Sequence, residues 1–254
     1  MMSTEGRFAG VLKIIRFNIR FYVASVSGLV LVIGILALHL LPPWLGWIAF
    51  LGAVVMGFWT IGSVLVSWYV YDFSGVTRWE WMRTQLHKVP RKWVNIHAGL
   101  DESTAALKML FPDSEGCVID IYDPAEMTEP SIARARRMYP TTEPFVTGKF
   151  DHLPLPGGDH DEVFLLFAGH EVRAPERRTQ LLCESSRVLE HGGQVVLVEH
   201  LRDWPNFLAF GPGFLHFHSK RSWRRNIQEA GLEVERESII TPFVHCFILR
   251  KANG

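Results

Sequence analysis

A run of 51 residues without Asp, Glu, Lys or Arg, from Phe21 to Tyr71, is the strongest constraint in this chain. Pro42-Pro43 interrupts the run near its middle. The hydrocarbon core of a bilayer is about 30 Å thick, and about 20 apolar residues of helix cross it. The run is therefore long enough for two membrane spans joined by a tight turn, which we expect at about residues 21–41 and 45–70.

Two other interpretations of this run are weaker. A cleaved signal peptide has an apolar region of only about 7–15 residues, whereas here a second apolar stretch follows at once. Core helices of a soluble protein carry a polar stripe, and these stretches carry none. A membrane hairpin, with the lipid bilayer as its partner, is the preferred interpretation.

Basic residues flank the run on both sides, whereas the turn has only His39. They are Arg7, Lys13, Arg16 and Arg20 before it, and Arg78, Arg83, Lys88, Arg91 and Lys92 after it. The positive-inside rule predicts an integral membrane protein with both termini cytoplasmic, in the inner or plasma membrane if the source is bacterial. Residues 1–20 form a basic segment, and residues 72–91 are expected to be an interfacial helix or linker. Trp79 and Trp81 are expected at the membrane surface.

Charge and cysteine content exclude some function classes. The chain has 26 basic and 26 acidic residues, which gives no case for nucleic-acid binding. The cysteines Cys117, Cys183 and Cys246 lack metal-ligand spacing, so reduced thiols and no metal site are predicted. Composition leaves the oligomeric state open.

Residues 92–254 have the length of one domain and alternate between two patterns. Short apolar runs that predict strands lie at 93–96, 117–121, 163–167 and 194–198. Helical stretches lie at 102–110, 129–138, 175–189 and 222–230. Alternation of this kind predicts an α/β fold with a doubly wound sheet. Two further strand-like runs, 232–239 and 243–250, have no helix between them and predict a C-terminal antiparallel hairpin.

Four sequence motifs occur in one order along this domain. They are Asp-His-Leu-Pro-Leu-Pro at 151–156, Asp-Glu-Val-Phe-Leu at 161–165, a stretch ending Arg-Val-Leu-Glu-His-Gly-Gly at 184–193, and Ala-Gly-Leu at 230–232. From Trp93 onward the chain resembles the class I S-adenosylmethionine-dependent methyltransferases, in particular the branch with the ubiquinone and menaquinone methyltransferases. The resemblance implies a Rossmann-like sheet, methyltransferase activity and S-adenosylmethionine as cofactor.

The resemblance also implies where the cofactor binds. The family has three glycines in the loop after its first strand, and this chain keeps only Gly99 of them, so a remodelled or empty pocket is an open alternative. Asp120 matches the acid that accepts hydrogen bonds from the ribose hydroxyls, with Asp123 as a second candidate and a helix cap or surface charge as alternatives. The implied cofactor residues are Asn95, His97, Ala98, Gly99, Asp120, Ile121 and Asp151.

Histidines and carboxylates follow the fourth and fifth strands of the family arrangement, where reacting atoms bind in this fold. His suits proton transfer near neutral pH. His170 is the first candidate for a general base and His200 the second, with Glu171 and Glu199 as partners. A purely structural role for these histidines is the alternative. His216 and His218 alternate along the chain, which argues against a metal site made by that pair.

Together these features predict a membrane-anchored methyltransferase that acts on a hydrophobic or lipid-soluble acceptor. An isoprenoid quinone, a polyene or aryl lipid, or a phospholipid headgroup would fit. The aromatic segment 207–217 is either a lid over such a substrate or simple packing. The alternatives are an S-adenosylmethionine-binding protein with a different group transfer, and a non-catalytic membrane scaffold with a degenerate fold.

Overall fold

The computed structural model describes residues 6–252 and divides into two compact units. The first unit contains the chain up to Ser74 together with the segment Trp204–Phe214. The second contains Gly75–Asp203 and the chain from Leu215 onward. A segment from the C-terminal part of the chain therefore belongs to the unit formed by the N-terminal helices.

The first unit has three helices before Ser74: α1 (Ala9–Phe17), α2 (Ile19–Ala37) and α3 (Pro43–Trp68). Helices α2 and α3 are, by length and composition, apolar enough to cross a membrane. Proline is favourable in the first turn of α3 because that position needs no N–H donor. The predicted spans agree with these helices to within four residues at each end.

Helix α1 was not expected from the sequence. The main-chain N–H groups of Gly10 and Val11 donate to the Asp72 carboxylate at 2.7 and 2.8 Å, which satisfies two donors that the first turn of a helix leaves free. Asp72 lies in the π-helical turn Tyr69–Phe73 that follows α3. Because the capping carboxylate is 62 residues away in sequence, no local pattern indicates this helix.

The second unit is built on a seven-stranded sheet with the order β3-β2-β1-β4-β5-β7-β6. The strands are β1 (Lys92–His97), β2 (Glu115–Asp120), β3 (Val146–Thr147), β4 (His160–Leu166), β5 (Leu189–His200), β6 (Leu232–Thr241) and β7 (Val244–Lys251). The first five strands are parallel to one another, and β7 is antiparallel to both β5 and β6. The predicted α/β fold and its C-terminal hairpin are confirmed.

Helices connect the strands of this sheet, and the buried strands account for the apolar runs in the sequence. The helices are α4 (Thr104–Leu110), α5 (Pro130–Met138), α6 (Pro175–Val188) and α8 (Lys220–Glu229), while α7 (Trp204–Phe210) belongs to the first unit. All seven residues of β4 are buried. Parallel strands covered on both faces have continuous apolar runs instead of alternation.

Residues 75–91 differ from the expected interfacial linker, because they form part of the second unit. Trp79 is only 1% exposed, and its ring lies 5.7 Å from that of Phe167. The Ser238 hydroxyl of β6 donates to the Gln85 side chain at 2.7 Å. The prediction that Trp79 lies at the membrane surface is therefore wrong. A tryptophan suits a lipid interface and a protein core equally well, so its sequence position could not decide between them.

Glu162 makes the stability of the folded protein depend on pH. Its side chain on β4 is 1% exposed, and one carboxyl oxygen, Oε2, has no hydrogen-bond partner among residues 6–252. Burial raises the pKa of Glu162 from its ordinary value to about 9. Between pH about 4.5 and pH 9 the unfolded chain loses this proton while the folded protein keeps it, so the group lowers stability as pH rises.

Replacing Glu162 with Gln should therefore stabilise the protein at pH 8 by at least about 1 kcal/mol and change little at pH 4. Thermal unfolding of the wild type and the variant at both pH values measures this difference. Glu115→Gln, at an exposed position on β2, is the matched control and should leave the pH dependence unchanged. Equal pH dependence in wild type and Glu162→Gln would contradict the assignment.

Candidate active site

The carboxyl ends of β1 and β2 lie side by side, with His97 in register with Asp120. Oxygen Oδ1 of Asp120 accepts the main-chain N–H groups of Gly99 and Tyr122, both at 3.0 Å. Oxygen Oδ2 accepts the Arg136 guanidinium of α5. A carboxylate has about four acceptor positions, so three are used and one remains for a ligand hydroxyl.

Gly99 is the one glycine of the family loop that this geometry requires. Its φ of +89° lies in the left-handed region that side chains disfavour. A Cβ atom at this position would lie 3.0 Å from the Tyr122 ring, inside normal contact distance. Both observations explain why position 99 requires glycine.

His97 is buried beside Asp120 without a hydrogen bond. Neither ring nitrogen has a partner among the described residues, and Nδ1 lies 3.6 Å from the nearer Asp120 oxygen. Burial lowers the pKa of His97, so the ring is neutral at pH 7 and has one donor and one acceptor. Buried polar groups usually have partners, so this ring is suited to contact a polar ligand.

The other residues implied for the cofactor site lie in different surroundings. The Asn95 amide donates to the hydroxyls of Ser103 and Thr104 at 2.9 and 2.8 Å, which fixes the loop after β1. Ala98 and Ile121 belong to the hydrophobic core, so only their main chains can contact a ligand. Asp151 is exposed in an open groove. That groove is lined by Thr147, Gly148, Lys149, Asp151, His152 and Pro154.

A second group of polar residues follows β4 and β5. His170 and Glu171 lie in the turn Gly169–Glu171, and both are buried. The His170 ring nitrogen Nδ1 lies 2.7 Å from Glu199 Oε2, and its main-chain N–H donates to Glu199 Oε1 at 3.1 Å. Burial opposes protonation of His170, but the Glu199 and Glu171 carboxylates outweigh it and raise the pKa of His170 to about 10.

His216 joins this group, which the sequence did not indicate. Its Nε2 lies 3.9 Å from Glu171 Oε1, and its ring meets that of His170 edge to face at 5.1 Å. The His218 ring packs on Trp223, and its Nε2 lies 3.2 Å from the His170 carbonyl oxygen. The partner of His216 is thus His170, 46 positions earlier in the chain, and no short spacing links the two.

His200 lies between aromatic rings. Phe167 and Phe217 stack on it at 5.2 and 4.9 Å between centroids. Its Nδ1 lies 2.8 Å from the Phe243 carbonyl oxygen. These contacts hold the ring in one orientation, and a role in proton transfer stays a prediction.

Comparison with known proteins agrees with this architecture. Residues 119–197 match the protein family described as a methyltransferase domain. No curated protein sequence matches the chain. The matched stretch contains Asp120, His170 and Glu171. Outside it lie His97, Gly99, Glu199, His200 and His216.

Solved structures show the same fold. The mitomycin 7-O-methyltransferase MmcR has a TM-score of 0.53 at 16% identity, over 71% of this chain and 55% of its own. An S-adenosylmethionine-dependent methyltransferase from Aquifex aeolicus also gives 0.53 at 16% identity, over 70% of this chain and 93% of its own. This chain thus spans little more than half of the mitomycin enzyme. The second unit therefore has the fold of these methyltransferase structures, and residues 119–197 within it are similar to the methyltransferase domain family.

Proposed function

We propose that the protein is a membrane-anchored S-adenosylmethionine-dependent methyltransferase with a hydrophobic acceptor. The observation that carries this proposal is the edge formed by β1 and β2, where the Gly99 main chain is tied to the Asp120 carboxylate. That edge keeps a glycine at positive φ, an acceptor position on a buried carboxylate and an unpartnered histidine. Buried polar groups usually have hydrogen-bond partners, so the unpartnered ring supports a ligand at this edge.

The residues of this edge fit the cofactor. Asp120 would accept a ribose hydroxyl, the loop at Gly99 would allow close approach of the main chain, and His97 would hydrogen-bond a polar group. Asp151 in the open groove remains the candidate near the adenine. When bound, S-adenosylmethionine supplies a methyl group on a sulfonium sulfur. The protein contributes binding, orientation and exclusion of water.

The acceptor is proposed to contact the residues after β4 and β5. Glu199 holds Nδ1 of His170, which fixes the direction of the other ring nitrogen. Glu171 lies next to it, with Oε1 at 3.5 Å from His170 Nε2. His170 and Glu171 are therefore the first candidates for contact with the acceptor, and His200 is the second.

The apolar helices of the first unit support membrane anchoring and a lipid-soluble acceptor. Helices α2 and α3 expose most of their large apolar side chains. In the same unit, the Phe207 ring of α7 lies 5.5 Å from Trp59 of α3. Trp204 and Leu208, one turn apart on α7, are 74% and 55% exposed. An isoprenoid quinone, an aryl or polyene lipid or a phospholipid headgroup fits these features.

Labelled methyl transfer tests the proposal directly. Membranes that contain the full chain are incubated with S-adenosylmethionine carrying a labelled methyl group and then extracted with organic solvent. We expect label in the organic phase with the wild type and with the exposed control Asp113→Ala, and background label with Asp120→Ala. Label found only in water-soluble products would contradict a hydrophobic acceptor.

The two alternatives give different outcomes in the same preparation. Absence of S-adenosylmethionine binding by calorimetry in detergent would contradict the enzyme and favour a scaffold. A product mass that differs from the addition of one methyl group would favour another group transfer. Release of the protein from membranes by alkaline carbonate washing would contradict the hairpin anchor.

A further inference from the structure

Three potential metal ligands converge after β4 and before α8. They are His170 Nε2, Glu171 Oε1 and His216 Nε2, and potential ligand atoms of these three residues lie within 4.8 Å of one another. Glu171 Oε1 is 3.5 Å from His170 Nε2 and 3.9 Å from His216 Nε2. We propose that these residues bind one divalent transition-metal ion.

A carboxylate behind each histidine supports this assignment. Nδ1 of His170 lies 2.7 Å from Glu199 Oε2, and Nδ1 of His216 lies 3.6 Å from Glu129 Oε1. Histidines that bind metals usually direct their second ring nitrogen to a carboxylate or carbonyl, which fixes the tautomer and strengthens the ligand. Only the His170 distance is that of a hydrogen bond, and the Nε2 atoms of both rings face Glu171 Oε1.

The carboxylate at the centre of the group is incompletely satisfied. Glu171 is 7% exposed, and its Oε2 has no hydrogen-bond partner among residues 6–252. A buried carboxyl oxygen without a hydrogen-bond partner is costly, and a bound cation removes that cost. Arg173 donates to the main-chain carbonyls of both His170 and His216, which holds the two histidines near each other.

Two imidazoles and one carboxylate match known preferences of Zn²⁺, which often has three protein ligands and one open position. The same set also suits Fe²⁺. An oxygen of the acceptor could occupy the open position, and only this last step rests on the proposed methyl transfer. Metal binding itself is independent of it.

Cobalt binding tests the site, because Co²⁺ replaces Zn²⁺ and absorbs visible light. The full chain is purified in detergent without a polyhistidine tag, stripped with chelator and titrated with Co²⁺. We expect one equivalent to bind with a visible absorption band that Zn²⁺ removes. Glu199→Gln should weaken binding by about tenfold, because it alters the carboxylate behind His170, and His216→Ala should weaken it further.

His191→Ala, at an exposed position outside the group, is the matched control and should bind Co²⁺ like the wild type. Zn²⁺ should raise the melting temperature of the wild type and of this control, but not that of His216→Ala. Equal melting temperatures without metal show that His216→Ala is folded. Absence of the band in the wild type, or an unchanged affinity in His216→Ala, would overturn the proposal. Calorimetry with S-adenosylmethionine on the same stripped sample separates this outcome from failure of the proposed function.

Discussion

Replacing Asp120 with Ala is expected to weaken S-adenosylmethionine binding by about 100-fold or more. The variant removes the buried carboxylate that would accept a ribose hydroxyl, and a hydrogen bond to a charged group contributes about 1.5–3 kcal/mol. It also removes the acceptor of the Gly99 and Tyr122 N–H groups. These two hydrogen bonds fix the loop that would contact the cofactor. Both losses act on the same ligand, so their effects combine. Isothermal calorimetry in detergent measures the change.

Asp123 provides the comparison, because it is the other acid that could serve the ribose. Its Oδ1 accepts the Ala125 N–H at 2.9 Å and so stabilises a turn of its own segment. Asp123→Ala should therefore change cofactor affinity by less than about threefold, a fraction of one such hydrogen bond. If Asp123→Ala lost binding and Asp120→Ala kept it, the ribose assignment would be wrong. Arg136→Ala would then show whether the guanidinium competes for the Asp120 oxygen.

Replacing Arg178 with Met is expected to destabilise the second unit by about 3–5 kcal/mol. Arg178 lies on α6, is 1% exposed and has hydrogen-bond contacts with five groups. These groups are the main-chain carbonyls of Val172 and Arg173, Asn226 Oδ1, the Ser222 hydroxyl and His218 Nε2. Burial lowers the pKa of Arg178 to about 10, so the side chain is still charged at neutral pH. Methionine has similar length but leaves these buried acceptors without a donor.

Thermal unfolding of the full chain, followed through near-ultraviolet circular dichroism, measures this loss of stability. We expect the melting temperature to fall by about 10 °C. Arg177→Met is the matched control, since it is the adjacent residue and its side chain pairs with Glu126 at the surface. That control should change the melting temperature by less than about 2 °C. A similar fall in both variants would mean that Arg178 has no special structural role.

The fold could be predicted because its signals are local. Strand β4 is buried along its whole length, and its second half, residues 163–166, is a continuous apolar run. Helix α6 begins at Pro175, as predicted, because proline favours the first turn of a helix. It ends at Val188, one residue before the predicted end. Strand β3 was missed, since it has only two residues, Val146 and Thr147, and pairs through β2. Two residues have no periodicity to detect.

The edge formed by the carboxyl ends of β1 and β2 could be predicted only in part. Gly99 and Asp120 carry local signals, a glycine in a turn and an acid at the end of a strand. Asn95 near the end of β1 and Ala98 just after β1 are close in sequence, yet the Asn95 side chain fixes the following loop and the Ala98 side chain lies in the core. Which side of a loop faces a ligand depends on packing from distant elements, and a sequence pattern does not contain that information.

The sequence by itself determined the two apolar helices, the alternating α/β domain and the order of its motifs, because hydrophobic periodicity and helix boundaries act over a few residues. Only the tertiary structure decided that Trp79 lies in the core and that α7 packs with α3. It also decided that His216 meets His170 and Glu171. Residues far apart in sequence come into contact because the strands pair in an order that differs from their order in the chain. This pairing brings loops from separate parts of the sequence to one edge of the sheet.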